Sequence, residues 1–145
     1  MKKLLAAALA VASLVSFVSC AKKDAVKAEG KVLNIYVWND EFSDRFNSYF
    51  ASKVPADVTV NLVQTPNADN AYQNKLDEVL LNQESAAADD KVDVFLVEAD
   101  YALKYVDTPY TLDVKKDIGL TDADLAQQFK YTKDIMTDSN GVLKG

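Results

Sequence analysis

Three apolar, β-rich runs separated by helical stripes restrict this chain more than any single motif. "VLNIYVW" (32–38) is nearly continuous in apolar residues, as expected of a strand covered on both faces. "DVTVNLVQ" (57–64) alternates, with Val58, Val60 and Leu62 on one side. "VDVFLV" (92–97) reads as a third buried strand. Between the first two runs, Phe42, Phe46, Tyr49 and Phe50 recur at i, i+4, i+7 and i+8, the apolar face of a helix. Either Asn39 or Asp40 is suited to cap it. Between the second and third runs, Tyr72, Leu76, Val79 and Leu80 repeat that stripe, and Asn70 with Gln73 resembles a capping box. Pro55, Pro66 and "NADN" supply the turns. Strand, helix, strand, helix, strand predicts an α/β fold: a βαβαβ unit with a parallel sheet and right-handed crossovers.

Beyond the third run the signals shorten. Tyr101 to Val106 predicts a short helix, "TLDV" a brief extended segment, and Thr121-Asp122 the start of a helix carrying Leu125 and Phe129. "DSNG" is a turn and "VLKG" the beginning of a strand. A natural domain rarely ends in mid-hairpin, so the sequence is expected to be the front part of a longer protein.

The N-terminal segment follows a different logic. Lys2 and Lys3 precede an uncharged stretch from Leu4 to Val18, too short for the ~20 residues a membrane span needs. A basic start, a short apolar run and small residues form a secretory signal. The run Phe17-Val18-Ser19-Cys20 resembles a bacterial lipobox, although "VSCA" also fits an ordinary small-residue cleavage site. The lipobox resemblance implies cleavage before Cys20, lipid acylation of its thiol and attachment to the membrane. Residues 1–19 are then the signal peptide. Residues 20–31, from Cys20 through the charge-and-alanine stretch "AKKDAVKAEGK", are the lipidated end and a flexible tether. Residues 32–145 form the folded part. Export implies an oxidising compartment, yet a single cysteine forms no internal disulfide.

Composition removes several function classes. Losing Lys2 and Lys3 with the signal takes the net charge from −6 to −8. So acidic a chain repels nucleic acid, whose affinity rests on neutralised phosphates. The sequence has no histidine, which removes the commonest general base and metal ligand. It has no cysteine pair for zinc and no Gly-rich phosphate loop among four glycines. Acidic clusters such as "ADD" and "TDAD" lack the Gly and terminal Glu of a calcium loop. Many carboxylates are present, but nothing singles out a pair for glycoside hydrolysis. No cofactor, metal or catalytic residue is expected.

What remains is a set of polar and aromatic groups at the strands' carboxyl ends, where open α/β sheets bind ligands. Trp38, Asn39, Asp40 and Glu41 follow the first strand, Gln64 and Thr65 the second, and Glu98, Ala99, Asp100 and Tyr101 the third. Aromatic faces cover the C–H side of a sugar ring. Carboxylates accept from hydroxyls, and amides both donate and accept. The same residues also suit architecture: Trp38 as core, Asp40 and Asp100 as helix caps.

With the lipobox-like signal, the tether, "VLNIYVWND", two βα units and "VDVFLVEADY", the chain resembles the opening of an extracellular solute-binding protein. The similarity is to the carbohydrate-binding group that serves ATP-binding-cassette importers. It implies a two-lobed periplasmic-binding-protein-like fold, of which this is part of the first lobe. It also implies capture of a sugar or oligosaccharide and delivery to a membrane permease. Trp38, Asn39, Asp40 and Glu41 then match a sugar-reaching loop, Asp100 and Tyr101 an acidic recognition position, and Gln64 and Thr65 a less regularly used loop. Two alternatives stand beside it. Thiaminase-like secreted enzymes share the two-lobed fold and resemble "DVFLVEADYALKYVDTPYTL", with a nucleophilic cysteine expected beyond Gly145. A surface lipoprotein that only adheres to a partner predicts no small ligand.

Overall fold

A computed structural model describes residues 30–145. The signal expected over 1–19, the lipidation at Cys20 and the tether up to residue 29 lie outside these residues. The strands are β1 (Val32–Val37), β2 (Thr59–Gln64) and β3 (Val94–Phe95). They form one parallel sheet in the order β2-β1-β3. β1 lies in the centre, which is why its apolar run is nearly unbroken: Asn34, Ile35, Tyr36 and Val37 are all buried. β2 is an edge, and the alternation in its sequence leaves Thr59 and Asn61 exposed while Val60 and Leu62 are half-buried. The chain is α/β in character, as expected.

Helix α1 (Asp40–Tyr49) joins β1 to β2, and α2 (Ala71–Leu81) joins β2 to β3. The stripe of α2 faces inward as its spacing predicts. Tyr72, Leu76 and Leu80 join Tyr36, Val92 and Tyr105 in the main core cluster, with Trp38, Val63, Phe95 and Val97 against it. A side chain of Leu size contributes about 1.5–3 kcal/mol when fully buried. The stripe of α1 differs. Phe42, Phe46 and Phe50 stack along one face with ring centroids 6.5 and 6.3 Å apart, confirming the helical spacing. No residue of α1 is buried, however, and Phe50 and Tyr49 are 55% and 67% exposed. The period set the helix, but its aromatic stripe is only partly covered: Phe42 and Phe46 are half-buried, whereas Tyr49 and Phe50 are exposed.

The third strand is shorter than its sequence predicts, because side chains occupy the backbone groups on either side of the ladder. The Gln83 carboxamide accepts from the Val92 N–H at 2.9 Å and donates to the Val92 carbonyl at 2.8 Å. One residue on, the Asp93 carboxylate accepts from the Asn34 N–H at 2.8 Å. Asn34 in turn donates to the carbonyls of Asp89 and Lys91 and accepts from Asn61, its neighbour across β1 and β2. At the other end the Tyr72 hydroxyl lies 2.7 Å from the Leu96 carbonyl and 3.0 Å from the Tyr36 carbonyl, sharing its one proton between them. Val94 and Phe95 pair opposite Ile35 and Tyr36, flanked by backbone bonds from the Asp93 N–H to the Asn34 carbonyl and from the Leu96 N–H to the Tyr36 carbonyl.

After β3, helix α3 (Ala99–Val106) covers and extends the expected 101–106. The buried Thr111 hydroxyl lies within 3.4 Å of the carbonyls of Tyr105, Val106 and Thr108, near the end of this helix. "TLDV" is not a strand. Val114 donates to Leu143 instead of to a ladder, and the Asp113 side chain turns the chain by accepting from the N–H groups of Lys115 and Lys116. The helix expected from Thr121 is also absent. Thr121 and Asp124 make the reciprocal bonds of a helix start, but Ala126 and Gln128 then donate three residues back, so the segment stays a series of turns. Leu125 is nevertheless buried, Phe129 is exposed, and a helix, α4 (Lys130–Ile135), begins only afterwards. "DSNG" does form a turn, closed by a single antiparallel bridge between Thr137 and Leu143. Gly141 occupies it at φ 80°, where a side chain would be strained.

Replacing Tyr72 with Phe should lower stability by about 1–3 kcal/mol, because the Leu96 carbonyl loses its hydroxyl partner while the ring packing is kept. Urea unfolding of both proteins measures this, and an unchanged midpoint would remove Tyr72 as the tie between the strand ends.

Candidate functional site at the strand ends

The connections place a crevice. β1 leads through α1 to the neighbour on one side, and β2 returns through α2 to β3 on the other. The strand order therefore reverses at the carboxyl ends of β1 and β3, the position where open α/β sheets hold ligands. A small cavity lies at this point, lined by Trp38 after β1, Leu96, Val97, Glu98 and Tyr101 after β3, and Tyr72, Gln73, Leu76 and Tyr105 from the helices above. Its volume is about 10 Å³, room for about one water.

Each lining group is held by its neighbours. The Trp38 indole stands edge-on to the Tyr72 ring at 5.4 Å and is half-exposed, so it is both packed and reachable. Burial pushes the Tyr72 hydroxyl well above its ordinary range, with the bond to Leu96 partly opposing that, so it stays a protonated donor to the strand ends. Tyr101 is half-buried, with its hydroxyl 3.4 Å from Asn70 Oδ1. Glu98 is exposed at the mouth, its backbone carbonyl accepting from the Tyr101 N–H. Gln73 is 8% exposed, and its Oε1 is buried without a hydrogen-bond partner among the described residues.

Of the residues singled out in the sequence, the structure brings Trp38, Glu98 and Tyr101 together on this cavity, and Asn39, Asp40, Glu41, Gln64, Thr65 and Asp100 are not among its lining. Asn39 is the N-cap of α1, its Oδ1 accepting from the Glu41 N–H at 3.0 Å. Asp40 and Glu41 occupy the first turn of that helix, where negative charge is favourable, and Glu41 pairs with Arg45. Gln64 is the exposed last residue of β2, and the Thr65 N–H donates to the Val37 carbonyl. Asp100 is exposed in the first turn of α3. Two lining residues have structural roles in the sequence pattern. Tyr72 belongs to the core stripe and reaches the cavity as well. The capping box that the sequence suggests between Asn70 and Gln73 does not form. Asn70 is left-handed at φ 60°, makes no side-chain cap bond and instead accepts from Tyr101. Gln73, Leu76 and Leu80 at i, i+3 and i+7 were the signal that Gln73 sits on the buried face.

A larger cavity of about 330 Å³ lies between α2 and α3, lined by Asp77, Leu80, Leu81, Lys104, Tyr105, Thr108 and Tyr110. Its size suits a small molecule, but its charged groups already satisfy one another. Asp77 accepts from Lys104 and from the Tyr105 hydroxyl at 3.0 Å. Burial, and then Asp77, push that hydroxyl well above its ordinary range. Among the described residues no group of three His, Cys, Asp or Glu side chains is placed to hold a metal ion.

No family model, curated protein or solved structure matches this chain.

Asn39→Ala should cost about 1 kcal/mol of stability through loss of the α1 cap. Thermal melts measure that cost. Ligand affinity that falls in this variant as steeply as in a Trp38 variant would return Asn39 to the site.

Proposed function

We propose that this protein captures a small polyhydroxylated solute, a sugar or short oligosaccharide, outside the cytoplasm and passes it to a membrane permease. The carrying observation is the grouping at the strand-order reversal: Trp38 and Tyr101 as aromatic faces, with Glu98 and Gln73 as polar partners, around a water-sized void. An aromatic face suits the C–H side of a sugar ring, and a carboxylate and an amide suit its hydroxyls. The void is too small for a ring. The sugar lies across the rim, with Trp38 beneath it.

In this reading the α/β sheet is part of the first lobe of a two-lobed binding protein, and the second lobe closes over the solute. Cys20 carries the lipid that holds the protein at the membrane near its permease, and the acidic chain keeps clear of nucleic acid. Nothing here calls for catalysis. Affinity comes from stacking and hydrogen bonds, and release comes from the lobes parting.

Trp38 is the one tryptophan in this sequence, so the emission that Trp38→Ala removes reports on this cleft. A cognate sugar should change the fluorescence of the full-length protein, and Trp38→Ala should weaken binding about tenfold by calorimetry. Sugar binding that leaves the emission unchanged and survives Trp38→Ala would move the site away from the strand ends. Cys20→Ala should separately release the protein from membranes or leave its precursor uncut. Normal processing with full membrane retention in that variant would refute the anchor.

A further inference from the structure

Gln73 is the one polar side chain on the strand-end cavity that is deeply buried yet lacks a partner for a buried atom. It is 8% exposed, and Oε1 makes no hydrogen bond among the described residues. A buried acceptor without a partner is costly to the fold, and native interiors rarely leave one so. The nearest local role for this carboxamide, closing a capping box with Asn70, is unavailable because Asn70 has turned to Tyr101 in a left-handed conformation. Gln73 instead lines a void of about 10 Å³, the size of one water or one hydroxyl group. Above it stand the Trp38 indole and the Tyr101 ring, with Glu98 at the mouth.

We propose that Gln73 is the buried recognition group of the site, accepting a hydrogen bond at Oε1 from a single hydroxyl of a neutral sugar seated on Trp38. The proposal rests on the sugar-binding reading of the strand-end cleft and adds the group that selects for a hydroxyl at one ring position. Glu98, being exposed, meets hydroxyls still in contact with water. Gln73 meets the one hydroxyl that enters the void, so a sugar lacking that hydroxyl leaves the buried oxygen as unpaired as in the free protein and forgoes the bond. Bound sugar supplies the partner that the empty fold lacks.

Calorimetry of the full-length protein against glucose, galactose, maltose and sucrose, and against monodeoxy analogues of whichever binds, tests this. Two variants separate reach from polarity: Gln73→Met keeps the length without the amide, and Gln73→Asn keeps the amide but withdraws it by one methylene. Both should weaken sugar binding about tenfold. One monodeoxy analogue should bind the wild type as weakly as the parent sugar binds Gln73→Met, with no further loss when the two changes are combined. Gln73→Met should also melt about 2–6 °C higher without ligand, because the stranded oxygen is gone. If Gln73→Met does not melt cooperatively, the Asn variant and the deoxy series decide. Unchanged affinity in a folded variant overturns the role of Gln73 and leaves the sugar-binding reading intact. A lower melting temperature with unchanged affinity assigns the amide to a structural water only. A wild type that binds none of the sugars overturns the sugar reading, and the role of Gln73 falls with it.

Discussion

Where β3 leaves the sheet, the Leu96 carbonyl turns to a side chain for its partner, since a buried carbonyl needs one. The Tyr72 hydroxyl supplies it from the first turn of α2 and also lies 3.0 Å from the Tyr36 carbonyl of β1, which the Leu96 N–H already serves. Much of the local structure follows from that contact. It fixes the start of α2 over the strand ends, and the helical stripe then carries Leu76 and Leu80 into the core. It also holds the ring that Trp38 packs against. Gln73 follows Tyr72 directly, so its carboxamide goes wherever the tie puts the helix.

The polar groups inside this fold divide into two kinds. Asn34, Gln83, Asp93 and Thr111 are spent on backbone groups: they close the approach to β3 and the end of α3, and they replace ladder or helix bonds one for one. Asp77, Lys104 and Tyr105 satisfy one another beside the larger cavity between α2 and α3. Gln73 Oε1 belongs to neither group. That contrast, more than cavity size, favours the strand ends over the larger cavity as the place for the proposed solute.

The fold was legible where hydrophobic period and burial agreed. The unbroken run of β1 reported a strand covered on both faces, and the alternation of β2 a strand with one better-covered side; the structure places them at the centre and the edge of the sheet. Agreement failed where side chains took over backbone bonding. "VDVFLV" has the composition of a six-residue strand, yet the Gln83 carboxamide, just past the end of α2, claims Val92. Thr121 and Asp124 form a start signal with no following ladder of helical bonds. The aromatic stripe of α1 gave the helix correctly but not its burial, since period reports a face and not what covers it. Strand-end position gathered Trp38, Glu98 and Tyr101, which line one small cavity. It also gathered residues whose local work is capping and pairing, Asn39 and Glu41 among them. Gln73 was hidden because its sequence context matches a capping box, and only the left-handed turn at Asn70 frees it.

The most direct test of the proposed solute site is NMR mapping of a sugar titration on the wild-type protein. A strand-end site predicts that the largest shifts fall on the Trp38 indole N–H, the Gln73 side-chain amide and the backbone N–H groups of Val97 to Tyr101. Shifts concentrated instead on Asp77, Leu81 and Lys104 would place the ligand between α2 and α3 and contradict a site at the strand ends.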